Sequence, residues 1–306
     1  MSIKAAQKDR KQIVNLGLTV LEIVAPVFLL GAIGFVWVKL GFEYRIQFVT
    51  QLAMSLGVPC LIFVALMEAD IEPAALTAVS LAAITAYAAV TVVSWLVIRL
   101  ARLETRTFLA PVIFGNTGNV GLPLALFAFG DEGLGFAVII FAIMAIYSFT
   151  FGVWLVAGGG SPLKVLKEPL VGATILGMIF LVQGWETPSF LTNTLRLIGQ
   201  MVIPLMLITL GVAVARLTPG GLGQATWISA VKAAVCAGIA WIVGRWFGLS
   251  DVPFAVLVLQ VSTPVAVTSY LLAQKYGADA DAVAGLVVVS TLMSVLYIPV
   301  ILAFVI

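Results

Sequence analysis

Long apolar runs decide what this chain can be. Stretches of about 18–25 residues rich in Ala, Gly, Val, Ile, Leu and Phe follow one another with brief polar breaks, and that length crosses a bilayer as a helix. Roughly ten are legible, at 18–38, 47–67, 75–98, 107–129, 134–157, 170–185, 190–214, 224–247, 253–274 and 283–306. With 62% apolar and 10% charged residues, against about 25% charged in a soluble domain, a water-soluble globule would leave large apolar patches exposed. The chain reads as an all-α polytopic membrane protein whose partner is membrane lipid.

The same composition removes several function classes. No G-x-x-x-x-G-K-[ST] loop is present to cradle nucleotide phosphates. With no His, and with Cys60 and Cys236 in separate apolar runs, zinc, haem and Ser-His catalysis lack their usual groups. The two cysteines read as small core residues, and no metal or cofactor is expected. The net charge of +2 is spread over many loops and gives no nucleic-acid footprint. An intramembrane enzyme would cluster Asp, His or Cys near one face, and no such cluster is legible. The basic start, Met1–Lys11, is followed by a full-length span rather than a cleavable leader.

The longest polar connection, Gly158–Pro169, falls near the middle and invites comparison of the halves. Gly31-Ala-Ile-Gly-Phe-Val36 aligns with Gly177-Met-Ile-Phe-Leu-Val182, and Trp95-Leu-Val-Ile-Arg99 with Trp241-Ile-Val-Gly-Arg245. Pro59 aligns with Pro204 and Gly130-Asp-Glu with Gly277-Ala-Asp, all at offsets of 145 to 147 residues. The plan is therefore a first five-span repeat over 1–157 that includes a basic segment at 1–17, a linker at 158–169, and a second repeat over 170–306. An odd number of spans sends the second repeat into the membrane upside down. Inverted repeats are a recurrent plan of secondary transporters, with substrate near the midplane where the repeats meet.

Orientation follows from the basic residues of short loops. One side holds Lys39, Arg45, Arg99, Arg102, Arg106, Lys164, Lys167, Arg216 and Lys275; the other holds Arg196 and Arg245 beside Glu68, Asp70, Glu72, Asp131 and Glu132. This places the central loop in the cytoplasm and both termini outside, although Lys4, Lys8, Arg10 and Lys11 argue the other way.

The stretch Phe114-Gly-Asn-Thr-Gly-Asn-Val-Gly-Leu-Pro123 lies in the middle of span four. So many Gly and Pro residues weaken the helical ladder and free backbone groups, which need partners inside protein or water. Asn116 and Asn119 add amide donors, and with Gly118 and Gly121 they form the candidate substrate-binding stretch. A broken helix also aims a partially positive N-terminus into the protein, which suits a carboxylate without a buried Lys or Arg. Span nine carries the answering stretch, with Gln260, Ser262, Thr263, Pro264, Thr268 and Ser269. The bland reading of both is close packing of small residues with interhelical amide bonds. Pro59, Pro123 and Pro204 are expected helix breaks or hinges. Glu22 is the only acid placed to carry a proton within a span, while Lys232 in span eight is expected to snorkel to the interface.

Gly115-Asn-Thr-Gly-Asn-Val-Gly-Leu-Pro-Leu124 resembles the N-x-G-x-x-G-x-P-L motif of the auxin efflux carrier superfamily. Thr263–Asp279 resembles that superfamily's second motif, and Ser290-Thr-Leu-Met-Ser294 fits its closing pattern. The likeness runs along essentially the whole chain. It implies a ten-helix fold like that of bile acid–sodium symporters and sodium–proton antiporters, with broken crossover helices four and nine. It also implies transport of organic anions, with a carboxylate-binding Asn at Asn116. The long cytoplasmic loop of plant members is absent, which points to a bacterial malate- or malonate-permease-like member in the inner membrane. Asn119 departs from the plant pattern, and Thr268 stands near the point where many bacterial members carry Asn.

Together these features predict a secondary active or potential-driven carrier of small carboxylates such as malate, malonate or auxin-like acids. An anion channel or a ligand sensor is the alternative. A proton is favoured over sodium as a coupling ion, because the expected crossover offers only neutral oxygens. A homodimer is left open.

Overall fold

The computed structural model describes residues 3–69, 71–158, 169–217 and 220–306, with side chains from Gly17 onward and that of Leu170 left out. The interior of the expected linker, the basic side chains of the N-terminal segment and Asp70 lie outside the described residues. Within them the chain is helical, and the extended backbone forms one isolated antiparallel bridge, between Gly115 and Val265. The helices are α1 (Ile3–Lys39), α2 (Ile46–Met67), α3 (Pro73–Leu100), α4 (Thr105–Ile113), α5 (Thr117–Ala157) and α6 (Pro169–Gln183). They continue as α7 (Ser189–Arg216), α8 (Leu222–Trp246), α9 (Asp251–Val261), α10 (Val267–Tyr276) and α11 (Ala280–Val305).

Among the described residues, seven of these helices contain a stretch long and apolar enough to cross a membrane. One of them, α5, has 41 residues and would run about 60 Å as a single rod, twice the hydrocarbon thickness. Gly130 divides it: at φ 62° and ψ −151° it holds a conformation that a side chain would strain. The prolines act at local irregularities. Pro59 follows a wide helical turn at Ala53–Gly57, and Pro123 follows another at Thr117–Gly121. Pro204 stands just after the turn at Met201 that interrupts α7. In each case the missing proline N–H leaves a carbonyl one turn earlier without its helical donor, and the backbone adjusts.

Packing sorts the helices into two groups. α1 lies along α7, and α2 packs on α6 and α7. Backbones approach closely here: a Cβ on Gly211 would lie 1.8 Å from the Gly31 carbonyl oxygen, and one on Gly34 would lie 2.0 Å from that of Ile208. Small residues are the means by which apolar helices in lipid gain contact. In the second group, α8 packs on α11, α3 and α9, α5 packs on α9, and α4 packs on α3. Two pairs of positions that the comparison of the halves aligned share a geometry. Arg99 stacks over Trp95 at 5.6 Å and Arg245 over Trp241 at 5.5 Å. Gly130 and Gly277 both adopt positive φ, at 62° and 69°.

Candidate functional site

Two helices of the second group break and meet. After Ile113 the chain leaves helical geometry at Phe114 (φ −91°, ψ 113°) and resumes it at Thr117. After Val261 it leaves the helix, passes Pro264, which has no N–H to continue it, and resumes at Val267. The two unwound peptides run antiparallel: Asn116 N–H donates to the Pro264 carbonyl at 2.6 Å, and Ala266 N–H donates to the Phe114 carbonyl at 3.4 Å. Gly115 sits at the contact, where a Cβ would fall 2.1 Å from Thr263 Oγ1.

Beside this contact, between the two groups, lies a cavity of about 130 Å³. Pockets for drug-sized ligands run to roughly 300–1,000 Å³, so the size suits a molecule of few heavy atoms. Phe114, Phe141, Met144, Met206 and Leu210 make its walls largely apolar, and among the described residues no charged side chain lines it. Residues 115–119 and 266–268 bring the N-terminal ends of α5 and α10 to the same space. The first amides of a helix have no acceptor in their own helix. Asn116 Nδ2 and Thr117 Oγ1 are also buried without a partner. The site is therefore rich in donors and neutral in formal charge, an arrangement that favours an anion.

The cavity collects some of the sequence candidates and leaves others behind. Asn116, Gly118, Asn119 and Thr268 line it. Gln260, Ser262, Thr263, Pro264 and Ser269 are buried outside its lining. Gln260 fills the space opposite Gly121, where a Cβ would lie 2.1 Å from its Oε1, and its Nε2 donates to the Ala137 carbonyl at 3.4 Å. Thr263 Oγ1 donates to the Gln260 carbonyl at 2.8 Å, consistent with a hydroxyl serving its own backbone. Glu22 is exposed on α1, away from the cavity.

Other wall residues come from α2 and α7 and carried no motif: Thr50 and Thr209 are among them. Thr209 Oγ1 donates to the Leu205 carbonyl at 2.7 Å and meets the Tyr44 hydroxyl at 2.7 Å. Burial raises the Tyr44 phenol above its usual pKa, and the Thr209 bond opposes that shift. Lys232 corrects an expectation. It does not snorkel: it is 2% exposed, and its Nζ donates to the Val112 carbonyl at 3.0 Å. It stands on the face of α8 that packs against the second group, and its side chain reaches inward to the end of α4 rather than outward to the interface.

A second cavity, of about 910 Å³, lies further along the same seam. Leu30, Leu61 and Ile203 line one side of it and Leu126 and Leu134 the other, with Glu68, Asp131, Glu132 and Arg196 toward the loops.

These features define a multi-pass helical membrane protein with a buried, neutral, donor-rich cavity at the meeting of two broken helices. The family model described as membrane transport protein matches residues 19–165 and 158–302, and the chain belongs to this family, that of the auxin efflux carriers. It is similar to a protein of Methanothermobacter thermautotrophicus named an uncharacterized transporter, 25% identical over 295 residues, which are 91% of this chain and 96% of the relative. A second uncharacterized transporter, of Methanocaldococcus jannaschii, is 26% identical over 200 residues, 61% of this chain and 64% of the relative. A protein of Rhizobium meliloti with the provisional name of malonate transporter is 25% identical over 198 residues, 60% of this chain and 61% of the relative.

Proposed function

We propose that this protein is a secondary carrier of small organic anions, with mono- or dicarboxylates as the substrate class, and not an enzyme. The observation that carries the reading is the convergence of two helix N-termini and the unpartnered Asn116 Nδ2 on one small cavity that, among the described residues, no charged side chain lines. A carboxylate there takes donors from Asn116, Thr117, Asn119 and Thr268 and from the first amides of α5 and α10. Gly118 leaves room at the wall. Gln260, Ser262, Thr263, Pro264 and Ser269 support the crossing from behind. The provisional name of the Rhizobium meliloti relative agrees with a small dicarboxylate.

The same reading makes ten membrane crossings in two inverted repeats. With α5 split at Gly130, and with α4 and the first part of α5 taken as one broken span and α9 and α10 as the other, the helices fall into five crossings on each side of the central linker. The paired Arg–Trp stacks and the paired positive-φ glycines support that symmetry. The excess of Lys and Arg in the loops of one side supports a cytoplasmic linker with both termini outside. Transport then proceeds by movement of α1, α2, α6 and α7 against the crossing helices. The membrane potential or a coupled proton supplies the drive.

Counterflow of labelled malate, malonate and indole-3-acetate into proteoliposomes loaded with unlabelled acid tests this. Transient accumulation of one label is the expected result and names the substrate class. Binding without accumulation identifies a sensor, passive equilibration alone identifies a channel, and either outcome overturns the carrier.

A further inference from the structure

Breaking a helix leaves specific carbonyls without donors, and here two of them can be followed. In an unbroken helix the N–H of residue i bonds the carbonyl of residue i−4. Asn116 N–H belongs to the Val112 carbonyl by that rule but is given to Pro264 across the crossing. Ala266 N–H belongs to the Ser262 carbonyl but is given to Phe114. The two bonds that join the unwound peptides thus orphan two carbonyls, and an orphaned carbonyl in a dry interior carries a heavy penalty.

Both are taken by side chains from neighbouring helices. Lys232 Nζ on α8 donates to the Val112 carbonyl at 3.0 Å, with the Cys236 thiol a weak second donor at 3.9 Å. Tyr297 Oη on α11 donates to the Ser262 carbonyl at 2.9 Å. One donor is an amine and the other a phenol, yet each occupies the same place in the ledger of the break. We propose that Lys232 and Tyr297 are positioning residues: each supplies the donor that its broken helix gave away, and together they hold the crossing open in the geometry that presents Asn116 to the cavity. A lysine amine donates whether or not it carries its third proton, so the assignment concerns the hydrogen bond rather than the charge. Without the replacement donor, the Val112 carbonyl competes with Pro264 for Asn116 N–H. The helix then tends to close and draw Asn116 away.

The substrate consequence rests on the anion-carrier reading; the latch itself does not. Two readouts keep them apart. Hydrogen–deuterium exchange on protein in nanodiscs reports the crossing directly, with no ligand present. Lys232→Met, close in shape but without a donor, is expected to speed exchange of residues 114–121 by about tenfold or more, as loss of a buried hydrogen bond does, while other segments keep wild-type rates. Tyr297→Phe is expected to do the same at 262–269, and Lys232→Arg, which keeps donors, to restore the slow rate. Malonate counterflow in the same variants is expected to show a rise of about tenfold in apparent KM. Unchanged exchange in Lys232→Met overturns the proposal. So does a change in Lys232→Met with none in Tyr297→Phe, because a charge effect would be confined to the lysine. If Lys232→Met does not fold, Tyr297→Phe decides alone. Absence of counterflow by any anion in the wild type refutes the carrier and leaves the exchange result to stand or fall separately.

Discussion

Asn116→Ala separates binding from folding, because the group it removes does nothing for the empty protein. Asn116 is 5% exposed, and its Nδ2 is buried without an acceptor. A buried donor left unpaired costs about 1–3 kcal/mol, so its deletion relieves a penalty that offsets the small loss of packing. The bond that fixes the crossing comes from the Asn116 backbone, at 2.6 Å from Pro264 O, and survives the substitution. With a carboxylate bound, the same Nδ2 becomes a donor to a charged acceptor, worth about 1.5–3 kcal/mol. The expected outcome is roughly a 10- to 150-fold loss of anion affinity at a melting temperature no lower than that of the wild type. Asn116→Asp replaces the donor with a carboxylate in the same shape and is expected to lose more. Malonate titration calorimetry and thermal unfolding of purified protein read the two quantities. Wild-type affinity in Asn116→Ala refutes the assignment, and so does a fall in melting temperature that parallels the loss of binding.

Two further substitutions probe the scaffold. Gly115→Ala puts a Cβ 2.1 Å from Thr263 Oγ1, and the overlap is expected to destabilise the protein by about 1–3 kcal/mol in thermal unfolding, with partial recovery in Gly115→Ala/Thr263→Ala. Arg106 donates through Nε to the Val156 carbonyl at 2.7 Å and through Nη2 to that of Tyr276, tying together the ends of α5 and α10; Arg106→Ala is expected to lower stability by about 1.5–3 kcal/mol, and Arg106→Lys to restore little, because a single ammonium does not reproduce the fork.

Hydropathy located the helices well, because length and apolarity are what a bilayer demands of a segment. The span read at 47–67 is Ile46–Met67, and that read at 75–98 is Pro73–Leu100. The crossing was legible for a different reason: Gly115 and Pro264 remove the Cβ and the N–H that a helix would keep at those points. The break itself falls at 114–116, upstream of Pro123, because the proline is accommodated by a widened turn. What hydropathy does not carry is direction. A span in lipid is apolar on every face, so nothing in the pattern around Lys232 says whether its side chain meets lipid, water or protein. Its position follows from α8 lying among α3, α9 and α11, and its role from a carbonyl orphaned 120 positions away in the chain. Thr117 was passed over for a related reason. Hydroxyls in helices commonly bond their own backbone, and only the break leaves this one unpartnered.

The polar contacts indicate where motion is cheapest. Bonds between elements gather inside the groups: Arg196 to Glu68 and Tyr44 to Thr209 in the first, and Arg106 to Tyr276, Thr91 to Tyr147, Gln260 to Ala137 and Tyr297 to Ser262 in the second. Between the groups, among the described residues, the packing is mainly apolar and is interrupted by the cavities of about 130 and 910 Å³. Apolar surfaces slide without exposing an unpaired donor, so the proposed carrier is expected to move one group past the other along this seam. A disulfide offers the test. A Cβ on Gly135 would lie 3.2 Å from that of Ala69 across the seam, and one on Gly177 would lie 3.0 Å from that of Leu66 within the first group. Both are near the roughly 3.5–4.5 Å that a disulfide requires, within reach of small adjustments. The native Cys60 and Cys236 are free and buried, and both are replaced by Ala for the experiment. Oxidised Ala69→Cys/Gly135→Cys is expected to stop counterflow and to recover on reduction, whereas oxidised Leu66→Cys/Gly177→Cys continues to transport. Full transport by the cross-seam pair with its disulfide formed would place the moving boundary elsewhere. Arrest by the pair inside the first group alone would mean that this group deforms rather than moving as a body.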